Sequence, residues 1–215
     1  LTTNNLLGVE MVLIGGEVVR FGGKAFEAPG YDLLGLITGS EGLLGIITEV
    51  TVRIVPKPET ARALLIGFPS SEAGGLCVAR IIGGGIIPAG LEMMDRPAIH
   101  AAEAFCHAGY PMDVEALLIC ELDGPPAEVD HLVGVVKEIA EACGASSLRI
   151  STSEAERLRF WLGRKSAFPA TARIAPDYYV MDGTIPRGRL PEVLRRIGEL
   201  SRRFGLPVAN VFHAG

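Results

Sequence analysis

Few of the features that announce a function are present in this sequence. No run reaches the ~18 consecutive apolar residues of a membrane-spanning helix, and the N-terminus lacks the basic-then-apolar order of a secretion signal. A cytoplasmic protein is therefore expected. Basic charge is in deficit: 20 Lys and Arg stand against 25 Asp and Glu, a formal net charge of −5. A phosphate-backbone partner is not expected, and nucleic acid is set aside. The four cysteines, Cys77, Cys106, Cys120 and Cys143, form no C-x-x-C pair. That argues against a zinc knuckle or a thioredoxin-type site and for small packing residues in a reducing compartment.

Three glycine motifs are missing as well. Neither Gly39 to Gly45 nor Gly83-Gly84-Gly85 has the G-x-G-x-x-G spacing of a dinucleotide fingerprint. Gly23-Lys24 has Val18 where a phosphate loop needs its first glycine and Ala25 after the lysine. The hydrolase elbow G-x-S-x-G is closer, but Thr38 holds its first position and the chain continues into a strand-like run instead of a helix. A serine hydrolase built on Ser40 remains a distant alternative.

What the chain does have is enough apolar material for one large or two small domains: 215 residues, 48% apolar and 21% charged. Its organising stretch is Tyr31 to Pro58. There Gly39-Ser40-Glu41-Gly42-Leu43-Leu44-Gly45 precedes the strand-like Ile46 to Val55, which ends at Pro56. Glycines at this density serve an ordinary turn or a bed for a flat or charged ligand, and the spacing alone leaves both open.

Upstream, Val9 to Phe21 predicts two short strands joined at Gly15-Gly16. Lys57-Pro58-Glu59 behaves as a linker, placing a domain boundary near Thr60 and dividing the chain into 1–59 and 60–215. Beyond it short apolar runs alternate with helices. Strands are expected at Ala63 to Phe68, Ala89 to Met94, Ala116 to Leu122, Ser147 to Ser151, Tyr178 to Ile185 and Pro207 to His213. Helices are announced by Ser70-Ser71-Glu72, Asp95-Arg96-Pro97 and Pro125 to Glu128, and a last one carries Leu190, Val193, Leu194, Ile197 and Leu200. Because Leu148 and Ile150 alternate with Arg149 and Ser151, the expected fold is α+β, a mainly antiparallel sheet covered by helices on one face. His100, His107 and His131 lie away from any motif and read as structural or solvated; Asp182 reads as a turn-capping carboxylate.

Several motifs then converge. G-Y-D-L at Gly30 to Leu33, G-S-E-G-x-L-G-I at Gly39 to Ile46, Thr48-Glu49, Pro56 to Pro58, PAGLEMMD at Pro88 to Asp95, DYYVMDGTIPR at Asp177 to Arg187, and Phe212-His213-Ala214-Gly215 together resemble the FAD-linked oxidases of the vanillyl-alcohol oxidase and p-cresol methylhydroxylase (PCMH) type. Within that family the glycolate oxidase FAD-linked subunits and FAD-dependent D-lactate dehydrogenases are most similar.

The resemblance implies that residues 1–59 are the later part of a PCMH-type FAD-binding domain and 60–215 a substrate (cap) domain. Gly39, Ser40, Glu41 and Gly42 would line the flavin and its pyrophosphate, with Gly45 and Ile46 beside the isoalloxazine. Leu43 stands where the family has threonine. Arg164 matches the arginine that binds a substrate carboxylate. His213 matches the first histidine of a proton-accepting or metal-binding pair that in some members holds a divalent ion, zinc or manganese.

The implied reaction oxidises a D-2-hydroxy acid, of the glycolate or D-lactate class, to the 2-oxo acid by hydride transfer to flavin N5. Companion flavin-domain and iron–sulfur subunits, a homodimer, and a cytoplasmic location peripheral to the inner membrane through those partners are the implied setting. The ends of the sequence suggest a segment of something longer, with the pyrophosphate-cradling loop upstream and the second histidine downstream. The alternative is a non-catalytic or degenerate subunit that binds partner chains.

Overall fold

Two strands, Thr60–Phe68 and Ala116–Gly124, are apolar almost without interruption, which commits both of their faces to burial. They pair antiparallel along their whole length, Thr60 opposite Gly124 and Phe68 opposite Ala116. The structure, a computed structural model, describes residues 3–25 and 30–214, without the side chain of residue 187. Gly215, which belongs to a motif named above, lies outside the described residues. By its internal contacts the chain divides into Leu1–Lys57 and Pro58–Gly215.

The first unit is a three-stranded antiparallel sheet, β1 Leu6–Val12 between β2 Val18–Gly22 and β3 Ile46–Val52. The hairpin expected at Gly15-Gly16 is present, with Gly16 at positive φ. A short helix α1, Leu33–Ile37, packs Ile37 against Val9 and Met11. The opposite face is polar: Glu10 accepts a hydrogen bond from the Thr48 hydroxyl at 2.8 Å and pairs with Arg20, which also reaches Glu49 at 3.2 Å.

The second unit is a five-stranded antiparallel sheet. Its order is β7 (Ser147–Ile150), β4 (Thr60–Phe68), β6 (Ala116–Gly124), β5 (Gly90–Asp95), β8 (Val211–His213). Five helices accompany it: α2 Ser71–Gly83, α3 Arg96–Cys106, α4 Pro126–Ala142, α5 Glu154–Ala170 and α6 Leu190–Phe204. The caps read from the sequence are made. Ser70 accepts from Ala73 N at 3.1 Å and Asp95 from Ala98 N at 3.2 Å, while Gly205 closes α6 in the left-handed region.

The α+β class and the antiparallel sheet are as expected; the helix coverage differs. On one face α2, α4 and α6 cover Leu64, Ile66, Phe68, Leu91, Met93 and Leu118. On the other, α3 and α5 cover Leu65, Met94, Leu117 and Ile119. The one-face expectation rested on β7, an edge strand whose Arg149, opposite Leu65, lies over the Phe160 ring of α5 and binds the Gly109 carbonyl and Glu156, so that its polar side is covered as well.

A second difference is Tyr178 to Ile185, which forms no strand. Pro176 and Pro186 bracket a run whose side chains look strand-like, with Gly183 inside it, and the edge beside β5 is taken by β8. Cys77, Cys120 and Cys143 are buried free thiols, and burial pushes the Cys77 and Cys120 thiols up to about 12. Among the described residues no helix is long and apolar enough to cross a membrane.

Candidate active site

Beside the inward stripe of Phe160, Gly163, Ala167 and Ala170, helix α5 also meets the sheet through charge. Arg157, Trp161 and Arg164, spaced i, i+4, i+7, share one face of the helix. Arg157 binds Glu121 of β6 at 2.7 Å, and the Trp161 indole N–H donates to the same carboxylate. The indole occupies the space above Gly90, where a Cβ would come within 2.8 Å of the ring. A turn further on, Arg164 reaches Glu92 of β5: its Nε donates to Oε2 at 3.0 Å and a terminal nitrogen lies 2.9 Å from the same oxygen.

Glu92 has a second partner. In the β5–β8 ladder Glu92 stands directly opposite His213, so both side chains project from one face. The His213 Nδ1 lies 2.8 Å from Glu92 Oε1. One carboxylate thus divides its oxygens between a guanidinium and an imidazole. The pair with arginine is mostly shielded, at 17% and 14% side-chain exposure, while the imidazole is 84% exposed. The two residues singled out in this unit from the sequence, Arg164 and His213, are therefore brought together, by a residue that was not. The signal for Glu92 was present: it is a carboxylate set between Leu91 and Met93 in the strand Gly-Leu-Glu-Met-Met-Asp.

Arg164 lies on a helix, as the sequence allowed, but not on a solvated face. His100 Nε2 sits 3.0 Å from the Met112 carbonyl, His107 closes α3 with φ 51°, and His131 is exposed. Among the described residues no three His, Cys, Asp or Glu side chains gather to hold a metal ion. A lone imidazole does not make the three- or four-donor set that zinc requires, so a divalent ion does not fit these residues by themselves.

In the first unit the six residues Gly39, Ser40, Glu41, Gly42, Gly45 and Ile46 form a bend from the end of α1 into β3. Gly39, Glu41, Gly42 and Gly45 all have positive φ, at 83, 52, 81 and 155°. Two of its backbone donors are used internally, Ser40 N to Ile37 O at 3.0 Å and Leu43 N to Ser40 O at 2.9 Å. Gly45 is needed for close approach: a Cβ there would meet the Val12 carbonyl at 2.7 Å. At Gly39 and Gly42 the Cβ direction is open, with nothing within 4 Å.

Leu43, Leu44 and Ile46 are exposed beside a shallow apolar dent of about 150 Å³ lined by residues such as Met11, Phe21, Leu36 and Ile37. Exposed apolar side chains and open glycine positions suit the face of a flat ring. They suit a phosphate poorly, because Glu41 would repel it.

Residues 57–215 match the family of FAD linked oxidases, C-terminal domain. The chain belongs to that family. It is 56% identical over 215 residues to the glycolate oxidase subunit GlcD of Escherichia coli strain K12, covering all of this chain and 43% of that protein. It is 32% identical to a probable mitochondrial D-lactate dehydrogenase of Danio rerio, over 88% of this chain and 39% of that one. The chain thus spans less than half the length of these relatives. Among solved structures an alkyldihydroxyacetonephosphate synthase superimposes with a TM-score of 0.68 at 18% identity, over 98% of this chain and 43% of that one, a likeness of fold. The FAD-linked family resemblance read from the motifs is borne out.

Proposed function

We propose that this chain is part of an FAD-dependent oxidoreductase that oxidises a D-2-hydroxy acid, of the glycolate or D-lactate class, to the 2-oxo acid. The observation that carries the reading is the joining of Arg164 and His213 on one carboxylate, in a chain whose family is FAD linked. The names of the two relatives support the substrate class. When bound, FAD supplies the acceptor for the hydride that leaves the substrate's α-carbon.

The rest falls to side chains of this chain. Arg164 spends its Nε edge on Glu92; its other terminal nitrogen is the one to receive the substrate carboxylate, whose planar pair of oxygens suits a guanidinium. His213 uses Nδ1 toward Glu92 and so offers Nε2 to the hydroxyl proton released as the carbonyl forms. In the first unit the bend at Gly39 to Ile46, with Leu43 and Leu44, would hold the flavin ring by apolar contact. A divalent metal enters no step. Companion flavin-domain and iron–sulfur subunits, supported by the word subunit in a relative's name, a homodimer, and a cytoplasmic location peripheral to the inner membrane through such partners belong to the same proposal.

The test is anaerobic addition of glycolate or D-lactate to the protein purified with FAD. Bleaching of the flavin absorbance is the expected result. A colourless protein without affinity for FAD would instead support a non-catalytic subunit, for which the exposed Leu36, Leu43 and Ile46 would serve partner chains.

A further inference from the structure

Glu92 is more than a neutralising partner. Strand pairing places it beside His213, and helix α5 delivers Arg164 to its other oxygen. Both approaches are fixed by contacts that do not involve Glu92. The α5 helix is seated by Arg157 and Trp161 on Glu121 and by the indole above Gly90. The strand β8 is tied on by Ala214 N to Leu91 O at 2.8 Å and by two bonds to Asp95, from Asn210 N at 3.0 Å and Asn210 Nδ2 at 2.7 Å. The Glu92 carboxylate is therefore held by two anchored neighbours.

That division of oxygens has a chemical consequence. A carboxylate paired with arginine only accepts hydrogen bonds. With Oε2 occupied by Arg164, the contact of Oε1 with Nδ1 requires that the proton of a neutral His213 ring sit on Nδ1. A free imidazole in water prefers the other arrangement, with its proton on Nε2. We infer that Glu92 is a positioning residue that locks His213 in the Nδ1–H tautomer, turning a bare Nε2 lone pair outward, while holding Arg164 against the same carboxylate. In the opposite tautomer Nε2 would carry a proton and could accept none, so the lock decides whether His213 can act as a base at all. This inference rests on the proposed function for its meaning but not for its test.

The test is the ¹⁵N spectrum of the protein labelled at histidine, recorded at about pH 8.5, some two units above the ordinary imidazole value, with the His213 signals assigned by their disappearance in His213→Gln. Native protein should show a pyrrole-type Nδ1 and a pyridine-type Nε2 for His213. In Glu92→Gln, whose amide can donate as well as accept, the signals should move toward the ordinary Nε2–H form. A native His213 protonated on Nε2 overturns the inference, and so does a Glu92→Gln spectrum unchanged from native. Should Glu92→Gln fail to fold, the native spectrum decides by itself. Neither flavin nor substrate enters this measurement. A protein whose His213 is locked but whose flavin is not bleached by hydroxy acids would sink the proposed function alone; a protein that bleaches with the wrong tautomer would sink this inference alone.

Discussion

The two units of the chain cover their sheets in opposite ways. In the five-stranded sheet both faces are buried, and Phe68, Leu118, Leu65 and Phe160 are essentially inaccessible to water. In the three-stranded sheet a five-residue helix covers part of one face. Val9, Met11 and Ile37 are its buried apolar side chains among the described residues, while Leu36, Leu43, Ile46 and Val50 stay exposed. Beside a core closed on both sides, Arg164, the residue proposed to bind the substrate carboxylate, is held by Glu92. An open apolar face gains most from a flat partner, and that contrast separates the residues expected to matter for folding from those expected to matter for binding.

The sharpest way to break the contrast is to truncate one residue from each side. Phe68→Ala should cost about 3–5 kcal/mol in urea unfolding, whereas Leu43→Ser should change stability by less than ~0.5 kcal/mol and appear as weaker retention of FAD. Equal effects on unfolding would erase the distinction.

Next in size is Glu92→Ala, which strands a mostly shielded guanidinium and should destabilise the second unit by roughly 3 kcal/mol. A smaller loss would mean that Arg164 finds water or another partner. Within the first unit, Gly45→Ala should cost about 2 kcal/mol, because the new Cβ would lie 2.7 Å from the Val12 carbonyl and in a φ of 155° that other residues avoid. The same change at Gly39, where space is open, should cost about 1 kcal/mol, and a thermal shift comparison of the two variants checks the order.

A pH dependence is expected in the second unit as well. Burial raises the Asp95 carboxyl to about 6, although hydrogen bonds from the Asn210 side chain and from Ala98 and Asn210 N–H groups oppose the shift. A carboxyl whose folded value lies above its unfolded value binds more protons when folded. Its contribution is therefore fully present below the ordinary carboxylate range and is lost as pH rises through about 6. Unfolding curves of Asp95→Asn should lack this decline, about 2 kcal/mol between pH 4 and 6; an unchanged decline would assign it elsewhere.

Much of this was readable from the chain. Strands and caps follow short-range rules, so Ser70, Asp95 and Gly205 announce their helices. Helix α5 is also capped, by Ser153 accepting from Glu156 N, but its inward stripe of Phe160, Gly163, Ser166, Ala167 and Ala170 is made mostly of small residues and stands out less than a run of leucines. Tyr178 to Ile185 misled for the converse reason, having strand-like side chains without a neighbour to pair with. The same blind spot hid Glu92: its role depends on residues 72 and 121 positions away, and no local pattern carries that distance. The bend at Gly39 to Ile46 was legible as a set of glycines, but that Gly45 serves packing while Gly39 and Gly42 face open space required coordinates.

The most direct measurement is the rate of flavin reduction against hydroxy-acid concentration in native protein and in Arg164→Gln, both loaded with FAD. The account predicts that the variant keeps its flavin yet needs about 30-fold more glycolate or D-lactate for half-maximal bleaching, as expected for loss of a charge-assisted pair worth roughly 2 kcal/mol. Identical saturation curves for the two proteins would contradict it.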